Sequence, residues 1–148
     1  MDADALKALQ TPLKDKYRTD AASALITLRS EGAIGENVTC SVSTSRAMVE
    51  AGLHPATGGT GLSACSGDML LDALVACAGV TLNAVATALK LDVTAARVVA
   101  EGDLDFRGTL GVAKDAPVGF RAIRLRFDVE GNLSEEERAT LLKLTERY

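Results

Sequence analysis

One stretch constrains this chain more than any other. Residues 68–89 form its longest apolar run, with turn residues marking the start. A helix that is apolar on nearly every side belongs in a protein interior. The run is about long enough to cross a bilayer, but Asp72, Thr81, Asn83 and Thr87 interrupt it and no basic flank marks a cytoplasmic side. It is therefore read as the long, buried central helix of a cytoplasmic protein with no membrane partner. Cys77 sits in its middle. Its neighbours Ala73, Ala76, Ala78 and Gly79 are small, which suits a side that another element approaches closely, with Cys77 as core filling. A nucleophilic reading requires a thiolate. Apolar surroundings disfavour that form, so a cation must come from another segment or another chain. Asp68 precedes Cys77 by nine residues, which puts the two on roughly opposite helix faces, ~13.5 Å apart along the axis. Asp72 is also off the cysteine face. Both readings of Cys77 stay open on these residues.

Composition narrows the rest. A chain of 148 residues with 47% hydrophobic and 24% charged residues is suited to one domain with a real core. The net charge of −4 argues against nucleic acid, and 3% aromatics without tryptophan argue against a base-stacking surface. The first residues are acidic and carry no apolar leader segment. Three scattered cysteines (Cys40, Cys65, Cys77) and the single His54 fit neither a secreted disulfide framework nor a zinc site. No metal and no cofactor is expected.

Along the chain, Leu6, Leu9 and Leu13 recur at helical spacing over residues 3–16, with Pro12 expected to break or kink that helix. Asp20 can cap a short turn. Residues from 24 to about 32 alternate as a strand. Turn chemistry spans 32–37, and Val38, Cys40 and Val42 share one face of a second strand, which predicts an antiparallel hairpin with Cys40 inward. Residues 47–52 suit a turn of helix. A glycine-rich loop, His54 to Asp68, then leads into the central helix. It could cradle an anion, although no phosphate-loop spacing is present, or let the chain pass close to another backbone. Ser66 or Asp68 is the expected N-cap. Residues 96–106 and 118–130 read as long strands, the first with Val98, Ala100, Gly102 and Leu104 on one face, the second with Ile123, Leu125, Phe127 and Val129 inward. Ser134 and Glu137 form a capping box that opens a last helix. The order predicts an α+β fold with antiparallel strands around the central helix.

The run from Ser66 through Asp68, Leu70, Leu71, Ala73 and Cys77 to Leu82 resembles the signature of the OsmC/Ohr superfamily, the osmotically inducible protein C and organic hydroperoxide resistance proteins. The resemblance covers roughly residues 24–148, leaving 1–23 as an N-terminal helical extension. It implies an OsmC-like α+β fold and an intertwined homodimer with the cysteine helices at its centre. It also implies thiol-dependent reduction of a small organic peroxide, with a thiol as reductant, in oxidative-stress defence. On this pattern Cys77 matches the peroxidatic cysteine. Asp68 takes the place of a glutamate that holds the activating arginine, one methylene shorter. Arg46 is the candidate for that arginine, with His54 the runner-up cation. The family's second, resolving cysteine follows the last helix, where this sequence stops, so the domain is read either as lacking its C-terminal end or as a one-cysteine relative served by an external thiol. Cys65 is the other candidate for the resolving role. Two alternatives accompany this reading: a non-catalytic OsmC-like stress or small-molecule-binding dimer, and an anion-binding module built on the glycine-rich loop.

Overall fold

The computed structural model of the protein describes residues 3–35, 39–42 and 51–148, and within these the side chains other than those of residues 3–6, 28, 30, 35 and 39–42. Helix α1 (Ala3–Thr19) leads into strands β1 (Leu25–Gly35) and β2 (Thr39–Val42). Helix α2 (Ser66–Ala88), strand β3 (Val93–Asp105), the short helix α3 (Phe106–Thr109), strand β4 (Phe120–Gly131) and helix α4 (Glu135–Arg147) follow. The strands form one sheet in the order β2-β1-β3-β4. The expected hairpin is present: Gly32 pairs with Val42 and Ile34 with Cys40, so β1 extends past Gly32 to Gly35. Between β1 and β3, Thr27 donates to Asp103 and Arg97 pairs with Glu31. Rising numbers on one strand thus meet falling numbers on the other, which is antiparallel pairing. The chain is α+β, as its element order predicts.

Two interleaved compact units make up the chain. One comprises Met1–Leu28, Ser45–Met69 and Glu101–Ile123; the other comprises Arg29–Thr44, Leu70–Ala100 and Arg124–Tyr148.

In the first unit, α1 continues through Pro12 without the expected break. The missing N–H removes one helical bond, yet the helix is held from outside. The Tyr17 hydroxyl donates to the Ala56 carbonyl at 2.8 Å, and Gln10 Nε2 donates to the Thr57 carbonyl at 3.3 Å. Tyr17 is buried, and burial pushes its phenol above the usual range. Asp20 caps the 3-10 turn Ala21–Ala24, as its position predicts. On β3, Gly102 lets the Phe120 ring lie across the strand: a Cβ there would meet the ring at 2.3 Å.

In the second unit, Leu82, Ala86, Ala96 and Leu141 form the core, and Val85, Leu91, Phe127, Val129 and Leu142 pack against it. Ser134 caps α4 in a full capping box: the Glu137 N–H donates to the Ser134 hydroxyl, and the Ser134 N–H donates to the Glu137 carboxylate. Arg138 then donates to the carbonyls of Val129 and Gly131, tying the helix to the end of β4.

Strand faces depart from simple alternation in two places. Val98, Ala100, Gly102 and Leu104 are buried as expected, but Val99 and Asp105 from the opposite face are buried too. Over this stretch β3 is covered on both of its faces. On β4, Phe127 and Val129 turn inward, whereas Ile123 and Leu125 remain 42% and 39% exposed. β4 is a sheet edge.

Candidate active site on the cysteine helix

Helix α2 has two apolar faces with different fates. Leu71, Val75, Gly79, Leu82 and Ala86 recur every three or four residues and are buried. A second stripe at the same spacing, Leu70, Ala73, Cys77, Val80 and Ala84, is exposed. Leu70 retains 52% of its surface and Val80 39%. The helix expected to be buried is thus buried along one side of the single chain. Apolar periodicity does not distinguish a core face from a face that the lone chain leaves open to water. Among the described residues α2 is also the one helix long and apolar enough to cross a membrane, by length and composition.

Cys77 lies at the middle of the open stripe, and no described residue hydrogen-bonds its sulfur. Asp68 sits half-buried in the first turn of the same continuous helix. The nine-residue separation therefore stands as helical geometry predicts. Arg46, the candidate activating arginine, lies outside the described residues, as do the side chain of Cys40 and most of the 47–52 turn.

Neither Ser66 nor Asp68 is the N-cap. Cys65 is: its Sγ accepts from the Gly67 N–H at 3.4 Å, and its carbonyl accepts from the Met69 N–H at 3.1 Å. Cysteine is an uncommon cap, so capping preference points to the serine beside it. The capped position also fixes the distance to Cys77. Twelve residues of helix span ~18 Å along the axis, far beyond the 4.4–6.8 Å between Cα atoms that a disulfide needs. Cys65 cannot resolve Cys77 within one chain while α2 is intact.

The glycine-rich loop is folded around His54. The imidazole Nδ1 accepts from the Ala56 N–H at 3.0 Å and so caps the 3-10 turn Pro55–Thr57. The His54 carbonyl accepts from the N–H groups of Thr57 and Gly59 and from the Thr57 hydroxyl. Gly59 passes so close to Leu53 that a Cβ would fall 1.6 Å from its carbonyl oxygen. The glycines serve a close backbone crossing, and the N–H groups of residues 56–59 are spent on internal acceptors. This part of the loop offers no free N–H cradle to an anion. His54 itself, the runner-up cation, acts here as an acceptor.

A buried ion pair escaped sequence reading. Asp105 is 1% exposed and caps α3. Its carboxylate accepts from Arg107 Nε at 3.0 and 3.1 Å, from Nη2 at 2.6 Å and from the backbone N–H at 3.1 Å. The Arg107 guanidinium holds the Asp105 carboxyl below the usual carboxylate range against the opposing effect of burial, and the Arg121 charge adds to it. The Asp105 carboxylate in turn raises the Arg107 guanidinium. The signal available was an aspartate two residues before an arginine at the end of a strand, a pattern too common to single out. Among the described residues no group of three His, Cys, Asp or Glu side chains is placed to hold a metal.

The family model for OsmC-like proteins matches residues 59–148, more than half of the chain. The chain belongs to the OsmC-like family. No curated protein matches it. The matched stretch of this OsmC-like chain contains α2, β3, β4 and α4, and with them Asp68 and Cys77. Helix α1, the hairpin, Arg46 and His54 precede it. Membership places the protein in a family associated with hydroperoxide resistance and stress.

Proposed function

We propose that this OsmC-like chain reduces organic hydroperoxides with a thiol, as a homodimer in a reducing cytoplasm, using Cys77 as the peroxidatic nucleophile. One observation carries the proposal: in a chain of this family, the cysteine is open on an otherwise apolar helix face. The Cys77 thiolate attacks the terminal oxygen of the hydroperoxide. The O–O bond breaks, the alkoxide leaves and takes a proton to become an alcohol, and the cysteine becomes a sulfenic acid. A reductant thiol then attacks that sulfur, releasing water and forming a mixed disulfide. A second thiol frees Cys77. Cys65 of the same chain is out of reach along α2, and on this reading an external thiol serves as the reductant.

Packing a second copy against the Leu70–Ala84 stripe would remove water from Cys77 and raise the cost of ionising it. The proposed dimer must therefore bring a cation. Arg46, steadied by Asp68, is the candidate, acting from the partner chain.

The test is steady-state consumption of tert-butyl or cumene hydroperoxide with a dithiol as reductant. Replacing Cys77→Ser should lower the rate roughly a thousandfold or more, as for loss of other covalent nucleophiles. A second reading, a non-catalytic dimer that binds a small apolar molecule beside α2, is favoured by the apolar stripe around Cys77. Wild-type protein that fails to consume peroxide, and whose Cys77 is alkylated no faster than an ordinary thiol, would decide for it.

A further inference from the structure

We propose that His54 is a proton-operated latch for helix α1: the neutral imidazole holds the loop that docks the helix, and protonation releases it. The inference does not depend on the role of Cys77. His54 is the only histidine in the sequence and is half-buried, so a proton can reach it. Its Nδ1 faces the Ala56 N–H at 3.0 Å as an acceptor. Protonating that nitrogen turns it into a donor aimed at a donor, so the cap is lost and two N–H groups oppose each other.

The consequence passes directly to α1. Two of the bonds that hold α1 end on the capped turn: Tyr17 donates to the Ala56 carbonyl and Gln10 to the Thr57 carbonyl. The Leu9 side chain also packs 3.3 Å from the Cβ position of Gly58, where the turn ends in a left-handed residue. The latch and its catch therefore share three consecutive residues, Ala56 to Gly58.

The surroundings leave the control to His54. Its ring stacks on Phe106 of α3 at 4.9 Å between centroids. An aromatic face accepts either a neutral or a cationic ring, so this contact does not block protonation. The ionisable groups flanking Phe106 are Asp105 and Arg107, already paired with each other, with the Arg121 charge of β4 acting on Asp105. From α1 the group facing the turn is Tyr17. Asp105 is held below the carboxylate range and Tyr17 above the phenol range, so neither changes charge between about pH 5 and 8. The sign follows from the geometry: docking depends on an unprotonated Nδ1, so it is present at higher pH and lost on the acid side once that nitrogen takes a proton. One proton allows the ratio of released to docked α1 to rise at most about tenfold per pH unit.

Amide hydrogen exchange of the full chain between about pH 5 and 8, corrected for intrinsic exchange, tests this with peptides from α1 and α4 read in the same samples. The expected result is protection of α1 that falls by up to tenfold per pH unit on the acid side while α4 is unchanged. His54→Asn keeps a side-chain acceptor without a titrating group and should make α1 protection independent of pH. His54→Asp does the same if the asparagine variant loses α4 protection and so does not fold. Flat α1 protection in the wild type, loss of α1 and α4 together, or a transition that survives in a folded His54 variant would each overturn the latch.

Discussion

At the scale of single residues, Asp105 concentrates more interaction than any other side chain described above. It is a carboxylate sealed from water with one arginine wrapped around both oxygens. Asp105→Asn preserves the shape but removes the charge and strands the guanidinium. The expected cost is on the order of 1.5–3 kcal/mol, the range for hydrogen bonds to charged groups, read from the urea midpoint at pH 7. A pH dependence accompanies it. The folded carboxyl titrates below its unfolded value, so its stabilisation is complete above about pH 4 and is lost as pH falls through the lower, folded value. Wild-type protein should therefore lose part of its stability below about pH 4 that the asparagine variant never has. Equal slopes for the two proteins in acid would show that the pair carries no such linkage. This pair was hidden in the sequence because the partners sit two residues apart across a turn, where neither strand nor helix periodicity looks. Cys65 was hidden for a related reason: a thiol caps α2 while a serine and an aspartate stand beside it with the usual preference. Cys77 and Asp68, by contrast, were placed on separate faces by helical geometry alone.

At the scale of elements, the reading succeeded where pattern and position agree. The hairpin, the long strand β4 and the capping box of α4 all follow from alternation or from a fixed spacing of two side chains. At Pro12 the expected break is absent, and Gln10 and Tyr17 tie the helix to the neighbouring turn on both sides of the ring. Pro12→Ala should restore one helical hydrogen bond and relieve the ring clash, slowing amide exchange in α1 by an amount equivalent to about 1–3 kcal/mol. Unchanged or faster exchange would mean that the helix has already adapted its backbone to the ring. Helix α2 shows the opposite limit. Its apolar residues surround the axis, so the sequence carried the helix but not the side on which it is covered.

At the scale of the whole molecule, the open apolar stripe of α2 is the surface that the proposed second copy would cover. Replacing Val80→Asp places a charge three residues from Cys77, on the stripe rather than in the core. In sedimentation equilibrium the wild type should run at twice the mass of the chain. The variant should run at one, with its helical content kept and peroxide turnover lost. A variant that keeps the wild-type mass would assign dimerisation, if present, to another surface.

The interleaving of the two compact units bears on how this protein is made. Each unit is assembled from three separated stretches of chain, and the last stretch of the first unit reaches Ile123. A ribosome delivers residues in order, at roughly 5–20 per second. The nascent chain therefore emerges carrying α2, with both apolar stripes bare, seconds before the partners of either unit are complete. The stretches that complete each unit follow α2 along the chain, so the cysteine helix waits uncovered until they emerge.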